Sequence, residues 1–128
     1  MVDKSSLLLP FQKALATLKL LEKETYSDAI RDAWIQRFKY TLEQACRLLQ
    51  KILKKRGIEI ASPREIVRLS AKEGLLSDSA SWLLFIEKRN LTSHTYNSET
   101  ANEVYQVIPK FVEEADRLFA TLSNLKDI

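Results

Sequence analysis

An all-α fold, a five-helix antiparallel bundle, is what this sequence predicts, and three observations predict it. Apolar residues recur at spacings of three and four, and no useful length of the chain alternates with period two. Only two glycines and three prolines occur in 128 residues, too few for a loop-rich or all-β protein. Hydrophobic residues make up 45%, enough for one compact core. A single domain is therefore expected over residues 1–128, with its core at about 7–124.

The elements follow in order. A first helix is expected from about Leu8 to Glu24, with Phe11, Leu15, Leu18 and Leu21 on one stripe. Pro10 suits its first turn, where a missing N–H costs nothing. Ser27 and Asp28 can cap a long second helix reaching about Arg56, and Gly57 follows as a left-handed stop. Its stripe reads Ile30, Trp34, Phe38, Leu42, Ala45, Leu49, Ile52 and Leu53. The third helix has the clearest start: Ser62 as cap, Pro63 at the first helical position, Glu65 where a capping box places its acid. Gly74 ends it. A fourth begins at Asp78 or Ser79 and carries Trp82, Phe85 and Ile86. The fifth starts near Ser98, with Val104, Ile108, Phe111, Ala115, Leu118 and Leu122 in register; Pro109 should kink it near Tyr105, whose carbonyl loses its donor. The aromatic weight of Trp34, Phe38 and Trp82 is read as core. Only the first and last five or so residues are expected to fray.

Composition excludes several function classes. One cysteine and one histidine cannot build a disulfide scaffold or a zinc site within the chain. Gly57 and Gly74 are the only glycines, and their positions fit neither a P-loop nor a dinucleotide fingerprint. No metal and no cofactor is expected, and any histidine chemistry passes through His94. Cys46 reads as a small core residue. The run Leu7-Leu8-Leu9, stopped by Pro10, is neither a signal-peptide core nor a membrane span, so a soluble, cytoplasmic protein is expected. A net charge of +3 permits an anionic partner without demanding one. Lys51, Lys54, Lys55 and Arg56 complement the dipole of the second helix or form an RNA-guiding patch, which Arg64, Arg68 and Lys72 would extend.

The informative stretch runs from Trp82 to Tyr96. Trp82, Phe85, Ile86 and Arg89 share one helical face, so Arg89 continues an apolar stripe and needs a partner. Thr92 and Ser93 favour ending the helix. If Arg89 and His94 serve one site, the helix turns off at about Leu91 or Thr92 and leaves His94 and Tyr96 in the loop before Ser98. Arg, His and Tyr without an acidic cluster suit an anionic phosphate. Imidazole exchanges protons near neutral pH, guanidinium stabilises charge on phosphate oxygens, and Asn90 supplies a hydrogen bond. The plainer alternative is that Arg89 pairs with a bundle carboxylate such as Glu43, while His94 caps a loop.

Arg89-Asn90-Leu91-Thr92-Ser93-His94-Thr95-Tyr96 resembles the R-x-x-x-x-H-x-Y motif of HEPN domain proteins, in the branch paired with minimal nucleotidyltransferases. These are the HepT-like toxins, also called nucleotidyltransferase substrate-binding proteins. Arg37 to Glu43 is similar to the family's second-helix signature, Ser62-Pro63-Arg64-Glu65 to its third-helix start, and Trp82 and Ser98 to Ala101 also fit. Cys46 departs, since relatives often carry tryptophan there. The resemblance implies a homodimeric bundle and a metal-independent ribonuclease toxin, with Arg89 and His94 catalytic, Asn90 supporting and RNA as substrate. Tyr96 would be the acceptor of AMP from the cognate nucleotidyltransferase, which silences the toxin. A two-fold dimer brings two copies of His94 to one axis, which supplies both a general base and a general acid. The alternatives are a non-catalytic substrate-binding subunit of a two-component nucleotidyltransferase, or a dimerisation module whose motif is only structural.

Overall fold

The computed structural model describes residues 3–94 and 97–128, and every regular element among them is helical. The helices are α1 (Lys4–Lys19), α2 (Asp28–Lys55), α3 (Pro63–Lys72), α4 (Ser79–Asn90), α5 (Ser98–Tyr105) and α6 (Ile108–Ser123). Short 3-10 turns at Leu20–Lys23 and Thr92–His94 follow α1 and α4. The predicted bundle is present, its fifth helix divided into α5 and α6. α2 is the spine, and the other five helices all pack on it. Among the described residues no helix is long and apolar enough to cross a membrane.

α1 starts a turn earlier than expected. Asp3 caps it by accepting the Ser6 N–H at 2.8 Å, which leaves Pro10 inside the helix rather than in its first turn. An interior proline costs about 3 kcal/mol. Burial of Leu7 in the added turn and of Leu8 beside it, at about 1.5–3 kcal/mol each, offsets that cost. The Lys4 ammonium donates to the Ser123 carbonyl at 2.8 Å, so the start of α1 is tied to the end of α6.

Ser27 caps α2 as expected, accepting from the Ile30 N–H at 3.1 Å. From Phe38 onward its stripe is buried as read, but at its N-terminal end Arg31 and Ile35 are buried while Ile30 and Trp34 are half-exposed. The phase is shifted by one residue because Arg31 finds partners both along its own helix, in Asp28 and Asp32, and across the bundle, in Asn102. Its guanidinium donates to Asp32 at 3.1 and 3.2 Å and to the Asn102 side-chain oxygen on α5 at 3.2 Å. A partnered arginine occupies an interior position that an unpartnered one could not.

Gly57 and Gly74 hold left-handed backbones at φ +84° and +80°. Each closes its helix in the same way: the Ile58 N–H reaches the Leu53 carbonyl at 2.9 Å, and the Leu75 N–H reaches the Ser70 carbonyl at 2.8 Å. A Cβ at Gly57 would meet nothing within 4 Å, so Gly57→Ala isolates backbone strain. It should lower stability by about 1–2 kcal/mol, read as a lower urea midpoint at unchanged slope. The capping box of α3 does not form. Pro63 takes its first position, but the Ser62 hydroxyl makes no cap bond and Glu65 pairs with Arg68 at 2.7 Å.

At Pro109 the chain breaks where a kink was expected. Pro109 cannot donate to Tyr105, and the Val107 N–H turns to the Val104 carbonyl at 3.2 Å, a 3-10 closure. α6 restarts with Pro109 in its first turn, and its Phe111 enters the core. The Phe111 ring lies edge-on to Phe38, Phe85 and Trp82, with centroids at 5.0, 5.3 and 5.8 Å. Those contacts lock α2, α4 and α6 together and fix where α4 ends.

Candidate functional site

α4 is anchored at its start by Asp78, which accepts from the Ser81 hydroxyl at 2.7 Å and the Ser81 N–H at 3.1 Å. These bonds, with help from Lys110 and Arg117, hold its carboxyl below the usual range. Trp82, Phe85 and Ile86 are buried, and Arg89, one turn further along the same face, emerges at the edge with its side chain 36% exposed. Its guanidinium pairs with the Glu43 carboxylate on α2. The partner that Arg89 needed is thus the one named as the plainer alternative. A pair this exposed adds only about 0–1 kcal/mol, so its main effect is to orient Arg89.

The helix ends where the two-residue site requires. The Leu91 N–H bonds the Lys88 carbonyl at 3.0 Å, and the Thr92 hydroxyl donates to the Arg89 carbonyl at 2.7 Å. This side-chain bond competes with helix continuation. His94 is exposed at the end of the 3-10 turn, its N–H on the Leu91 carbonyl at 3.0 Å, and that turn packs against α2 and α5. Tyr96 lies outside the described residues.

Beside Arg89 a cleft of about 350 Å³ opens between α2, the start of α3 and the end of α4. Its polar rim comprises Glu43, Arg47, Gln50, Arg89 and Asn90, over an apolar side made by Leu42, Cys46, Ile66 and Ile86. Arg89 and Asn90 are therefore brought to one cleft, and His94 stands on the turn beyond its lining. Sequence alone does not single out Arg47. It lies one turn after Glu43 on the flank of α2 that the stripe assigns to solvent, and only the packing of α3 makes that flank a wall.

Cys46 is half-buried on the cleft's apolar side. Burial pushes its thiol up to about 11; Arg89 pulls down and Glu43 pushes up, so the ion pair's two charges oppose each other there. Cys46 should therefore resist iodoacetamide at pH 8 in the folded protein, with reaction rising towards pH 11, whereas urea-unfolded chain reacts at an ordinary thiol rate. Rapid labelling of native protein at pH 8 would contradict this. Among the described residues no group of three or more His, Cys, Asp and Glu side chains is placed to hold a metal ion.

Residues 7–124 match the family model described as nucleotidyltransferase substrate binding protein like. The chain belongs to that family. Among relatives of this substrate-binding-protein family member, a Haemophilus influenzae protein described as "Probable ribonuclease HepT" is 27% identical over 107 residues, covering 80% of this chain and 73% of that one. A crystal structure from Thermus thermophilus is similar at TM-score 0.81 and 39% identity, covering 88% of this chain and 98% of the other. A further solved structure, from Haemophilus influenzae, is described as revealing the fold of a substrate binding domain of a nucleotidyltransferase. It superposes at TM-score 0.76 and 24% identity over 95% of this chain and 100% of its own, a likeness of fold.

Proposed function

We propose that this protein is the toxin of a nucleotidyltransferase–HEPN pair: a cytoplasmic, metal-independent endoribonuclease that acts as a homodimer and is silenced by adenylylation of Tyr96. The observation that carries the reading is local. Arg89 is held at the cleft edge beside Asn90, and a hydrogen-bonded helix stop delivers His94 on the next turn. The likeness to a probable ribonuclease supports it.

In this reading His94 takes the proton of a ribose 2′-hydroxyl as the 2′-oxygen attacks the adjacent phosphorus. The P–O5′ bond breaks, a proton returns to the leaving 5′-oxygen, and a 2′,3′-cyclic phosphate remains. Arg89 stabilises the negative charge that grows on the non-bridging oxygens. Each chain has one histidine, so the second proton-transfer group is His94 of a symmetry-related copy. Silencing uses ATP: the Tyr96 phenol oxygen attacks the α-phosphorus, pyrophosphate leaves, and a nucleotide with added negative charge stands two residues from His94.

Purified protein should cleave RNA in excess EDTA. Incubation with the cognate nucleotidyltransferase and ATP should stop cleavage and add one adenylyl group to the peptide containing Tyr96, with Tyr96→Phe escaping both effects. A second reading, a non-catalytic substrate-binding subunit of that nucleotidyltransferase, is favoured by the engagement of Arg89 with Glu43. Stable complex formation without any RNA cleavage would decide for it.

A further inference from the structure

We infer that a groove along the C-terminal half of α2 carries the single-stranded RNA that leads away from Arg89, with Arg47 and Lys54 as phosphate-binding residues. This inference rests on the ribonuclease reading and extends it from the reacting bond to the flanking nucleotides. A second depression of about 580 Å³, between α2 and the segment leading to α3, adjoins the cleft beside Arg89, and Arg47, Gln50 and Ala61 line both. Gln50 positions the far wall, because its side-chain amide donates to the Ile60 carbonyl at 2.8 Å and holds that segment beside the helix.

The charges along the groove are ordered. Arg47, Lys51 and Lys54 follow one another at one-turn spacing and are exposed, with no carboxylate partner among the described residues. From Glu43 to Lys54 the helix rises about 16 Å, room for a few nucleotides of extended strand. Ile58, Ile60 and Ala61 face this cationic edge across the groove and give base faces an apolar surface, while Glu59 keeps phosphates on the α2 side. The structure also sorts the basic residues noted in the sequence. Arg56 is bound to Asp127 and Glu73, at 3.0 and 3.2 Å, and Arg68 to Glu65, so neither extends the track. A cation row serving only the helix dipole would need no walled groove beside it.

The test uses the full chain carrying His94→Ala, so that RNA is bound without being consumed, and a fluorescein-labelled single-stranded octanucleotide. Affinity is measured by anisotropy across a salt series, and cleavage by the wild-type protein is assayed in parallel. Neutralising one phosphate contact lowers the slope of log affinity against log salt by about 0.7. Arg47→Gln with Lys54→Gln should therefore reduce it by about 1.4 and weaken binding about 25-fold near 100 mM salt. Lys23→Gln, near the opposite end of α2, should leave both unchanged. Wild-type cleavage with a slope unmoved by the double variant overturns the groove and leaves the ribonuclease reading standing. A double variant that keeps RNA affinity but loses the nucleotidyltransferase complex marks the groove as a protein interface and also overturns the inference. Absence of both binding and cleavage overturns the ribonuclease reading and the groove with it.

Discussion

His94→Ala should reduce RNA cleavage in EDTA by about 10²–10⁴, the usual contribution of a positioned general acid or base. The fold should not change. His94 is exposed, and the bonds of its backbone, N–H to Leu91 and carbonyl from Asn97 at 3.3 Å, do not depend on the side chain. Substitution at an exposed position usually alters stability by about 0.5 kcal/mol or less. Matched thermal melts therefore separate lost chemistry from lost structure, which Arg89→Ala would not do so cleanly, because it strands Glu43. The dimer makes a second, quantitative demand. If one active centre uses both copies of His94, equimolar exchange of wild-type and mutant chains leaves only about a quarter of dimers with two intact histidines. Activity should then fall towards that fraction, whereas independent sites would leave about half. Full activity in His94→Ala would end the ribonuclease reading of this motif.

Phe111→Ala should cost about 3–5 kcal/mol, a large part of the 5–15 kcal/mol available to a domain of this size. Phe111 is fully buried, and three other rings meet its ring edge-on. Removing it opens a cavity among Phe38, Phe85 and Trp82, which belong to α2 and α4 and cannot all close on one void. We expect a much lower urea midpoint and reduced RNA cleavage, since α4 loses the contact that sets the position of Arg89. Phe111→Leu keeps most of the volume and should recover most of the stability while losing the edge contacts. A loss below about 1 kcal/mol in Phe111→Ala would mean that the aromatic cluster does not hold α4 in place.

The features legible in the chain share a short range. Gly57 and Gly74 stop their helices because a left-handed residue is needed there, and that need is met within six residues. Pro63 opens α3 through its fixed φ, while Ser27 caps α2 and Thr92 helps close α4 through bonds spanning three residues. The features that differ depend on partners or burial elsewhere. The Ser62 capping box gives way to a Glu65–Arg68 pair of equal range, a competition that local pattern does not resolve. Pro10 suits a first turn on local grounds, because nothing nearby shows that Leu7 and Leu8 are buried. Pro109 reads as a kink from the chain alone, since the severity of a proline break depends on what the two halves pack against.

By itself the sequence determined the helical class, the places where helices stop, and the chemistry available: one histidine, an arginine five residues before it, and a helix end between them. These follow from backbone sterics and periodicity, which act over one or two turns. Only the tertiary structure decided that Glu43 holds Arg89, that Asn102 admits Arg31 to the interior, and that Arg47 lines a cleft and a groove. Arg89 and Glu43 are 46 residues apart in the chain, and Arg31 and Asn102 are 71 apart. Arg31 has local partners in Asp28 and Asp32, but these two long-range contacts exist only once helices distant in sequence are packed, because neither Asn102 nor Glu43 lies within reach along the arginine's own helix.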